Sequence, residues 1–364
     1  MSLPNVSIVS ILDDWNQFNI LLKNHWDSLD YPKDKLEWII VSDSINDYSK
    51  DIPAEENILF FQLKSEDYLD KISFKNDENG LLINYFKKTN KLPNGFKRDY
   101  AVGFTSNEYI FHLDVDCIYS PKVIKRKLKF LKDNRLECCY CKAMLAYDIY
   151  GKGLYKVENK VAGYESTLFH TKEFWNKGGF KWEDIVSEAV SFYYGKGLER
   201  AMDNFYDTIK LLSLHNHTKY QPIKIELENH KIDIPEVVNS LNVSEHPILI
   251  EINNVFRGDV NVLGIQSELL TIFKNDKWTI HNIEENNKLK EKPLIKKIKG
   301  FEKDFSLCFI NTKNPIWTIF KNIKFDCVML ESSKNREQMD HILKENNYMI
   351  FDNLYFNKSF LLNN

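Results

Sequence analysis

Apolar runs alternate with amphipathic stretches along the first part of the chain. Residues 6–12 and 36–41 are continuous apolar runs, which predict buried strands, and a helix-like pattern lies between them over residues 15–26. A strand, a helix and a second strand in close succession predict a βαβ unit, for which a right-handed crossover is the default. The first part of the chain is therefore predicted to be an α/β domain.

A further predicted strand ends in two acidic residues. A helix-like segment over residues 96–104 leads into the apolar run 109–111, and Asp114 and Asp116 follow where that strand ends. Ligands of open α/β sheets bind at the carboxyl ends of the strands. Two neighbouring carboxylates repel each other unless a cation holds them, and Mg²⁺ or Mn²⁺ bind one or two carboxylates together with substrate phosphates. The pattern indicates a metal site for a phosphorylated substrate, with a solvated acidic turn as the alternative.

A second α/β pattern follows a polar tract at residues 221–245. Strands are predicted at residues 247–252, 278–283, 305–310, 325–330 and 348–351, and helices at residues 265–273 and 338–345. We therefore predict a first domain over residues 1–225 and a smaller α/β domain over residues 245–364. The smaller domain faintly resembles the tail of small-molecule methyltransferases, but it lacks a glycine-rich loop for S-adenosylmethionine, so we expect a non-catalytic accessory or acceptor-binding role for it.

Composition and charge narrow the functional class. The chain has 364 residues, 43% of them hydrophobic, and its net charge of -3 comes without a basic block that would indicate nucleic-acid binding. No run approaches the roughly 18 apolar residues of a transmembrane helix, and no signal peptide is visible, so we expect a cytoplasmic protein. The six cysteines lack zinc-site spacing and are expected to be reduced and buried.

The motifs occur in an order that resembles the nucleotide-sugar glycosyltransferases of the GT-A fold, and family 2 in particular. The second strand leads to a D-x-S-x-x-D-like turn at residues 43–47, and Lys97-Arg98-Asp99 stands in the place of an R-N-x-G/A-like helix. The D-x-D motif comes next, and a Gly-Gly-Phe turn at residues 178–180 precedes an acidic pair. This resemblance covers roughly residues 5–220. It implies a Rossmann-like mixed sheet flanked by helices.

The resemblance also implies an activity and a set of metal ligands. The activity is transfer of a sugar from a nucleoside diphosphate sugar to a hydroxyl of a glycan, protein or lipid-linked acceptor. Asp116 corresponds to the residue that binds Mn²⁺ or Mg²⁺ directly, and Asp114 would bind the ribose, or the metal through water. A histidine late in the domain often provides a third ligand, for which His217 is the first choice and His215 the second. The metal would neutralise the diphosphate leaving group.

The donor-binding residues follow from the same resemblance. Asp43 stands where the family holds the nucleobase or ribose with a carboxylate. Lys97 and Arg98 would reach the base or the phosphates, because a guanidinium suits phosphate oxygens. The expected donor is a UDP-sugar.

The general base is the least defined part of the motif set. An inverting transferase needs a carboxylate within hydrogen-bond reach of the acceptor hydroxyl. Glu188 lies eight residues after Phe180, and Asp184 and Glu183 compete with it for this role. Ala189 stands where the family's catalytic aspartate is expected. If none of these acids serves, a retaining mechanism remains, which needs no such base.

Two other function classes stay open. A sugar nucleotidyltransferase shares the sheet and the metal chemistry, but it should carry a glycine-rich phosphate loop after the first strand, and residues 12–15 contain no glycine. A non-catalytic binding protein that kept the fold is the third class, and Ala189 is its best support. Binding of a sugar nucleotide without turnover would favour this third class.

Overall fold

The chain forms two compact units. In the computed structural model of the protein, the described residues are 3–12, 18, 20–44, 47–74, 80–149, 153–158, 163–185, 188–202, 207–212, 223–225, 234, 236–239, 252, 255, 256, 259–265, 267, 270, 277–283, 291–301, 304–310, 319–330, 336–351 and 354–362. One unit combines Met1–Asn76 with Asn90–Pro247, and the other combines Asp77–Thr89 with Ile248–Asn364.

Among its described residues, the first unit contains two β-sheets. Its strands are β1 (Val6–Leu12), β2 (Leu36–Ser42), β3 (Ile58–Gln62), β4 (Tyr109–His112), β5 (Cys117–Tyr119), β6 (Cys138–Cys141), β7 (Ala143–Asp148), β8 (Leu154–Glu158), β9 (Phe169–Thr171), β10 (Glu199–Met202), β11 (Thr208–Leu212) and β12 (Ile223–Ile225). Seven strands form one sheet in the order β10-β6-β9-β4-β1-β2-β3, and five form another in the order β12-β8-β7-β11-β5. Strands β4, β1, β2 and β3 are parallel, whereas β9 is antiparallel to β4 and β6. The predicted mixed α/β sheet is confirmed.

Helices accompany these sheets. They are α1 (Leu21–Ser28), α3 (Asn94–Gly103), α4 (Val123–Asn134), α5 (Lys172–Asn176), α6 (Glu188–Tyr193) and α7 (Glu236–Asn239), whereas α2 (Leu81–Thr89) belongs to the second unit. The apolar face of α1 is buried, and Trp26 stacks on Trp38 of β2 with ring centroids 5.8 Å apart. Helix α1 begins at Leu21, and residues 13–17 of the predicted helix lie outside the described residues.

The second unit contains one six-stranded sheet in the order β14-β13-β15-β16-β18-β17. Its strands are β13 (Val260–Ile265), β14 (Trp278–Ile283), β15 (Leu307–Ile310), β16 (Cys327–Leu330), β17 (Tyr348–Phe351) and β18 (Leu354–Asn357). Its other helices are α8 (Glu291–Lys299), α9 (Ile319–Asn322), α10 (Arg336–Glu345) and α11 (Lys358–Leu362). The predicted strands that match β14 to β17 and the helix that matches α10 are confirmed.

A helix and a strand that are predicted near the start of the second unit differ from the observed structure. The pattern predicts a helix over residues 265–273, and Leu270 is helical, but Ile265 ends strand β13, and residues 266, 268, 269 and 271–273 lie outside the described residues. A strand is predicted over residues 247–252, but Ile252 is helical, and the rest of that segment lies outside the described residues. The physical reason is that short apolar runs look alike in a buried strand and a buried helix, so periodicity alone does not separate them.

Two expectations from composition can be compared with the fold. The six cysteines are buried and free of disulfides, as predicted, so they pack as small apolar side chains. Among the helices of the described ranges, none combines the length and the apolar character that crossing a membrane requires.

Helix α3 touches a neighbouring segment through its backbone. The Gly95 amide donates a hydrogen bond to the Asp184 carbonyl at 2.9 Å. A Cβ atom at Gly95 would overlap the Lys181 carbonyl oxygen and would lie 3.1 Å from the Asp184 side chain. The approach of this segment to α3 therefore requires glycine at position 95.

We expect Gly95→Ala to lower the free energy of unfolding by about 1–3 kcal/mol, because the Lys181 carbonyl must move to admit the methyl group. Gly103→Ala is the matched control at the other end of α3, where an added Cβ would meet nothing within 4 Å. The control should be neutral or stabilising by up to about 1 kcal/mol. Urea unfolding of both variants measures the difference, and equal stabilities would contradict the close approach.

Candidate active site

The D-x-D motif lies on a turn that is anchored on several sides. The Leu113 amide donates to the β1 backbone at 2.9 Å, and the Leu211 amide of β11 donates to the Asp116 carbonyl at 2.8 Å. The Tyr119 hydroxyl accepts a hydrogen bond from the Asp114 amide at 2.8 Å. These bonds hold the backbone at the carboxyl end of β4, so the two carboxylates extend from a well-defined turn.

A buried guanidinium joins this turn to α6. Arg98 of α3 donates from Nη2 to Asp114 Oδ1 at 2.9 Å and from Nε to Glu188 Oε1 at 2.6 Å. The side chains of Arg98 and Glu188 are each 3% exposed. Burial acts to lower the pKa of Arg98, but the charges of Asp114 and Glu188 raise it above its usual range. Arg98 therefore stays charged and neutralises two carboxylates from different elements.

The remaining terminal nitrogen of Arg98 faces a buried histidine pair. Its Nη1 lies 3.4 Å from His112 Nδ1, and His112 Nε2 lies 3.0 Å from His170 Nε2. Burial lowers the pKa of both imidazoles, that of His170 to about 3, so both rings are neutral. His170 Nδ1 lies 2.9 Å from the Thr171 carbonyl oxygen and must donate to it, which leaves His170 Nε2 as an acceptor.

The tautomers of the pair then follow from the network. His112 donates from Nε2 to His170 and accepts at Nδ1 from Arg98. Each contact has one donor and one acceptor, so the chain of bonds helps to orient the guanidinium.

A lysine that belongs to none of the predicted motifs neutralises Asp116. Lys210 of β11 forms an ion pair with Asp116, and the β11–β5 register places Lys210 opposite Cys117. Desolvation acts to lower the pKa of Lys210, but Asp116, Cys117 and Asp114 raise it above its usual range. Its signal in the sequence is a single lysine inside the apolar run Thr208–Leu212. The repulsion expected between the two acids is thus relieved by Arg98 and Lys210.

The first acidic turn forms a separate buried pair. Lys97 Nζ lies 3.2 Å from Asp43 Oδ1, and each side chain is 1% exposed. Asp43 also accepts a hydrogen bond from the Leu92 amide at 2.7 Å. These contacts tie the end of β2 to α3. Binding of the nucleobase, ribose or phosphates by Asp43 and Lys97 stays a prediction.

The candidate bases have different surroundings. Glu188 begins α6 and is buried against Arg98. Asp184 is half-buried and accepts a hydrogen bond from the Ser191 hydroxyl, and burial raises the pKa of Asp184. Arg98 therefore links Glu188 to the D-x-D turn. Asp184 instead contacts Ser191 of α6 through its side chain and Gly95 of α3 through its backbone. The role of either acid as a base stays a prediction.

Asp99 organises the Gly-Gly-Phe turn, a role that its place in the sequence does not indicate. Its carboxylate accepts hydrogen bonds from the Trp175 and Trp182 indoles, both at 2.7 Å, and from the Phe180 amide at 2.9 Å. Gly179 has a φ of +57°, and a Cβ atom there would lie 2.6 Å from Asp99 Oδ1. The turn therefore requires glycine at position 179 and keeps Trp182, which is 41% exposed, on the surface beside α3.

Only some of the predicted metal ligands lie within the described residues. Within the described ranges, no group of three or more histidine, cysteine, aspartate and glutamate side chains could hold a metal ion. His215 and His217 lie outside the described residues. Asp114 and Asp116 are therefore the predicted metal ligands whose positions are known, and metal binding stays a prediction.

Comparisons with known proteins give structural similarities alone. No protein-family model matches the sequence, and no curated protein matches it. The chain is similar to S. aureus TarS 1-349 in complex with UDP-GlcNAc, with 15% identity, a TM-score of 0.41 and coverage of 69% of this chain and 67% of that one. It is also similar to the mannosyltransferase PcManGT from Pyrobaculum calidifontis in complex with GDP-Man and Mn²⁺, with 11% identity, a TM-score of 0.37 and coverage of 58% and 57%. In two other structures the match spans less than two thirds of the neighbour, namely 38% of S. aureus TarS and 60% of a second structure of TarS 1-349.

We expect Arg98→Lys to destabilise the protein, because an ammonium cannot serve three acceptors in the fixed geometry of a guanidinium. The cost should be about 1–3 kcal/mol for each buried acceptor that loses its donor. Arg200→Lys, at an exposed position on β10, is the control and should stay within about 0.5 kcal/mol of the parent. Denaturant unfolding compares the two, and a similar small effect in both would show that Arg98 does not stabilise the site.

Proposed function

We propose that the protein is a glycosyltransferase that moves a sugar from a nucleoside diphosphate sugar, with a UDP-sugar as the expected donor, to an acceptor hydroxyl. A glycan, a protein or a lipid-linked molecule would carry that hydroxyl. The observation that carries the proposal is the cluster of Asp114, Asp116, Arg98 and Lys210 at the carboxyl end of β4. Ligands of open α/β sheets bind at such an edge, and the cluster combines fixed positive charge with carboxylates that suit a cation.

The two basic side chains suit different tasks during the departure of a diphosphate. Arg98 is 3% exposed and held by three acceptors, so it keeps the turn and α6 in place. Lys210 is 25% exposed and has Asp116 as its partner, so its ammonium can turn towards a bound phosphate. Positive charge aimed at the leaving group stabilises the charge that develops there.

The D-x-D carboxylates also suit a divalent cation, because Mg²⁺ and Mn²⁺ bind one or two carboxylates together with substrate phosphates. Asp116 would be the direct ligand, and Asp114 would bind the ribose, or the cation through water. Asp116 is 29% exposed, and its carboxylate is paired with Lys210, so the cation would replace the lysine ammonium. A bound cation would supply charge that neutralises the leaving diphosphate.

A specific observation favours a second candidate, a protein that binds the sugar nucleotide without turnover. Ala189 is fully buried where a catalytic aspartate is expected, and Arg98 neutralises the neighbouring Glu188. Such a protein would bind the donor and would not cleave it.

A binding screen followed by a turnover assay tests both candidates. UDP-, GDP- and CDP-sugars are added with and without Mn²⁺, and the shift in thermal unfolding is measured. A donor at about 100 times its Kd should stabilise the fold by roughly 2.7 kcal/mol. Donors that bind are then assayed for nucleotide release. Binding with release supports the glycosyltransferase, binding without release supports the second candidate, and the absence of binding contradicts both.

We expect Asp116→Asn to abolish the Mn²⁺-dependent part of nucleotide binding while the fold is kept. Lys210→Met should instead tighten Mn²⁺ binding without nucleotide, because the metal no longer competes with the ammonium for Asp116. Isothermal titration with Mn²⁺, and with UDP plus Mn²⁺, measures both effects.

Lys156→Met is the matched control for this pair of variants. Lys156 lies on β8 of the same sheet as β11 and pairs with Glu158, two strands away from β11. Its loss should leave Mn²⁺ binding unchanged. Unchanged binding in Asp116→Asn would remove Asp116 from the metal site, and equal Mn²⁺ affinity of Lys210→Met and the parent would show that Lys210 does not compete.

A further inference from the structure

The proton of the acceptor hydroxyl needs a destination if the proposed function holds. Ala189 has no group that could take it, and this residue is fully buried. Glu188, beside it, is 3% exposed and accepts Arg98 Nε at 2.6 Å. The Glu188 carboxylate is therefore neutralised by a neighbour and offers almost no surface to an acceptor.

A different carboxylate lies against Ala189. Glu165 begins the short 3₁₀ helix Glu165–Thr167, directly before β9, and its Oε1 accepts a hydrogen bond from the Ala189 amide at 3.3 Å. As a whole residue Glu165 is half-buried, whereas Glu188 is buried. Within the described ranges, no basic side chain forms an ion pair with Glu165. Its carboxylate thus occupies the space beside the position that lacks an acid.

The charges around Glu165 favour proton transfer near neutral pH. Burial and the charge of Glu188 raise the pKa of Glu165 to about 7, Arg98 acts against this, and Asp114 adds to it. Tyr193 of α6 also lies near enough to interact with the Glu165 charge, and its hydroxyl accepts a hydrogen bond from the Gly163 amide. A carboxyl group with such a pKa can accept and release a proton near neutral pH.

We propose that Glu165 is the general base of the transfer and that it replaces the carboxylate that is missing at Ala189. The acceptor oxygen forms a bond to the anomeric carbon of the donor sugar, and the bond from that carbon to the phosphate oxygen breaks. Its electron pair leaves with the nucleoside diphosphate, and the hydroxyl proton moves to the Glu165 carboxylate. Attack and departure occur on opposite faces of the sugar, so the anomeric configuration is inverted.

The test uses Glu165→Gln in the full chain, with the donors that bind in the screen and water as the acceptor. Nucleotide release should fall by about 10²- to 10⁴-fold, the usual scale for loss of a general base, and donor affinity should be kept. Glu173→Gln is the control, since Glu173 is an exposed acid on α5 that contacts none of these groups. The control should release nucleotide at the parental rate.

Two further measurements extend the test, and the first of them does not depend on the stability of that variant. The rate of the parent should rise with pH and level off above about pH 7, because the base must be unprotonated. Adding Ala189→Asp to Glu165→Gln restores a carboxylate on α6 and should recover part of the lost rate.

The outcomes separate this proposal from the proposed function. If the parent binds and cleaves a donor but Glu165→Gln keeps the parental rate, the assignment of Glu165 is overturned and the proposed function stands. A parental rate that is flat around pH 7 overturns the assignment as well. A collapse in Glu188→Gln alone assigns the base to Glu188. If no donor is bound, the proposed function fails, and the assignment fails with it.

Discussion

The Arg98 guanidinium is the contact on which the candidate site depends. Its three nitrogens meet Asp114, Glu188 and His112, so one side chain of α3 connects the D-x-D turn, the start of α6 and the interior of the sheet. Removing one partner of a buried ion pair typically costs about 3–5 kcal/mol, because a charge is left without compensation. The fixed donor geometry of a guanidinium sets the positions of both acids, which an ammonium could not do.

The other contacts of α3 serve the same arrangement. Gly95 lets the backbone of residues 181–184 approach the helix, and Asp99 holds the Gly-Gly-Phe turn through three hydrogen bonds. One helix thus organises the segments on which the predicted acids lie.

The two acids of the D-x-D motif differ in a way that suits their proposed tasks. Asp114 is held by the buried Arg98, whereas Asp116 is paired with the more exposed Lys210, which a cation could replace and a bound phosphate could attract.

Local patterns predicted β1, β2 and β4 of the first unit, because these strands are apolar runs that end in polar turns, whereas most of its other strands gave no such signal. The second unit shows where such patterns fail. Ile265 belongs to a strand although the sequence favours a helix there, and α2 belongs to the second unit although it lies within the first part of the chain. In both cases the deciding contacts are long-range: β13 pairs with β14 and β15, and Tyr85 of α2 packs on Phe356.

The sequence by itself determined where the acidic pair lies, because a short apolar strand followed by two acids is a local signal. It also placed Arg98 and Glu188 among the candidates through their motif positions. Only the tertiary structure decided what neutralises the acids and which carboxylate accompanies Ala189. Lys210 lies 94 positions from Asp116 and reaches it because β11 pairs with β5. Glu165 lies 24 positions from Ala189, and no spacing rule joins them. Contacts between residues so far apart in the sequence depend on strand pairing and burial, which local sequence patterns do not encode.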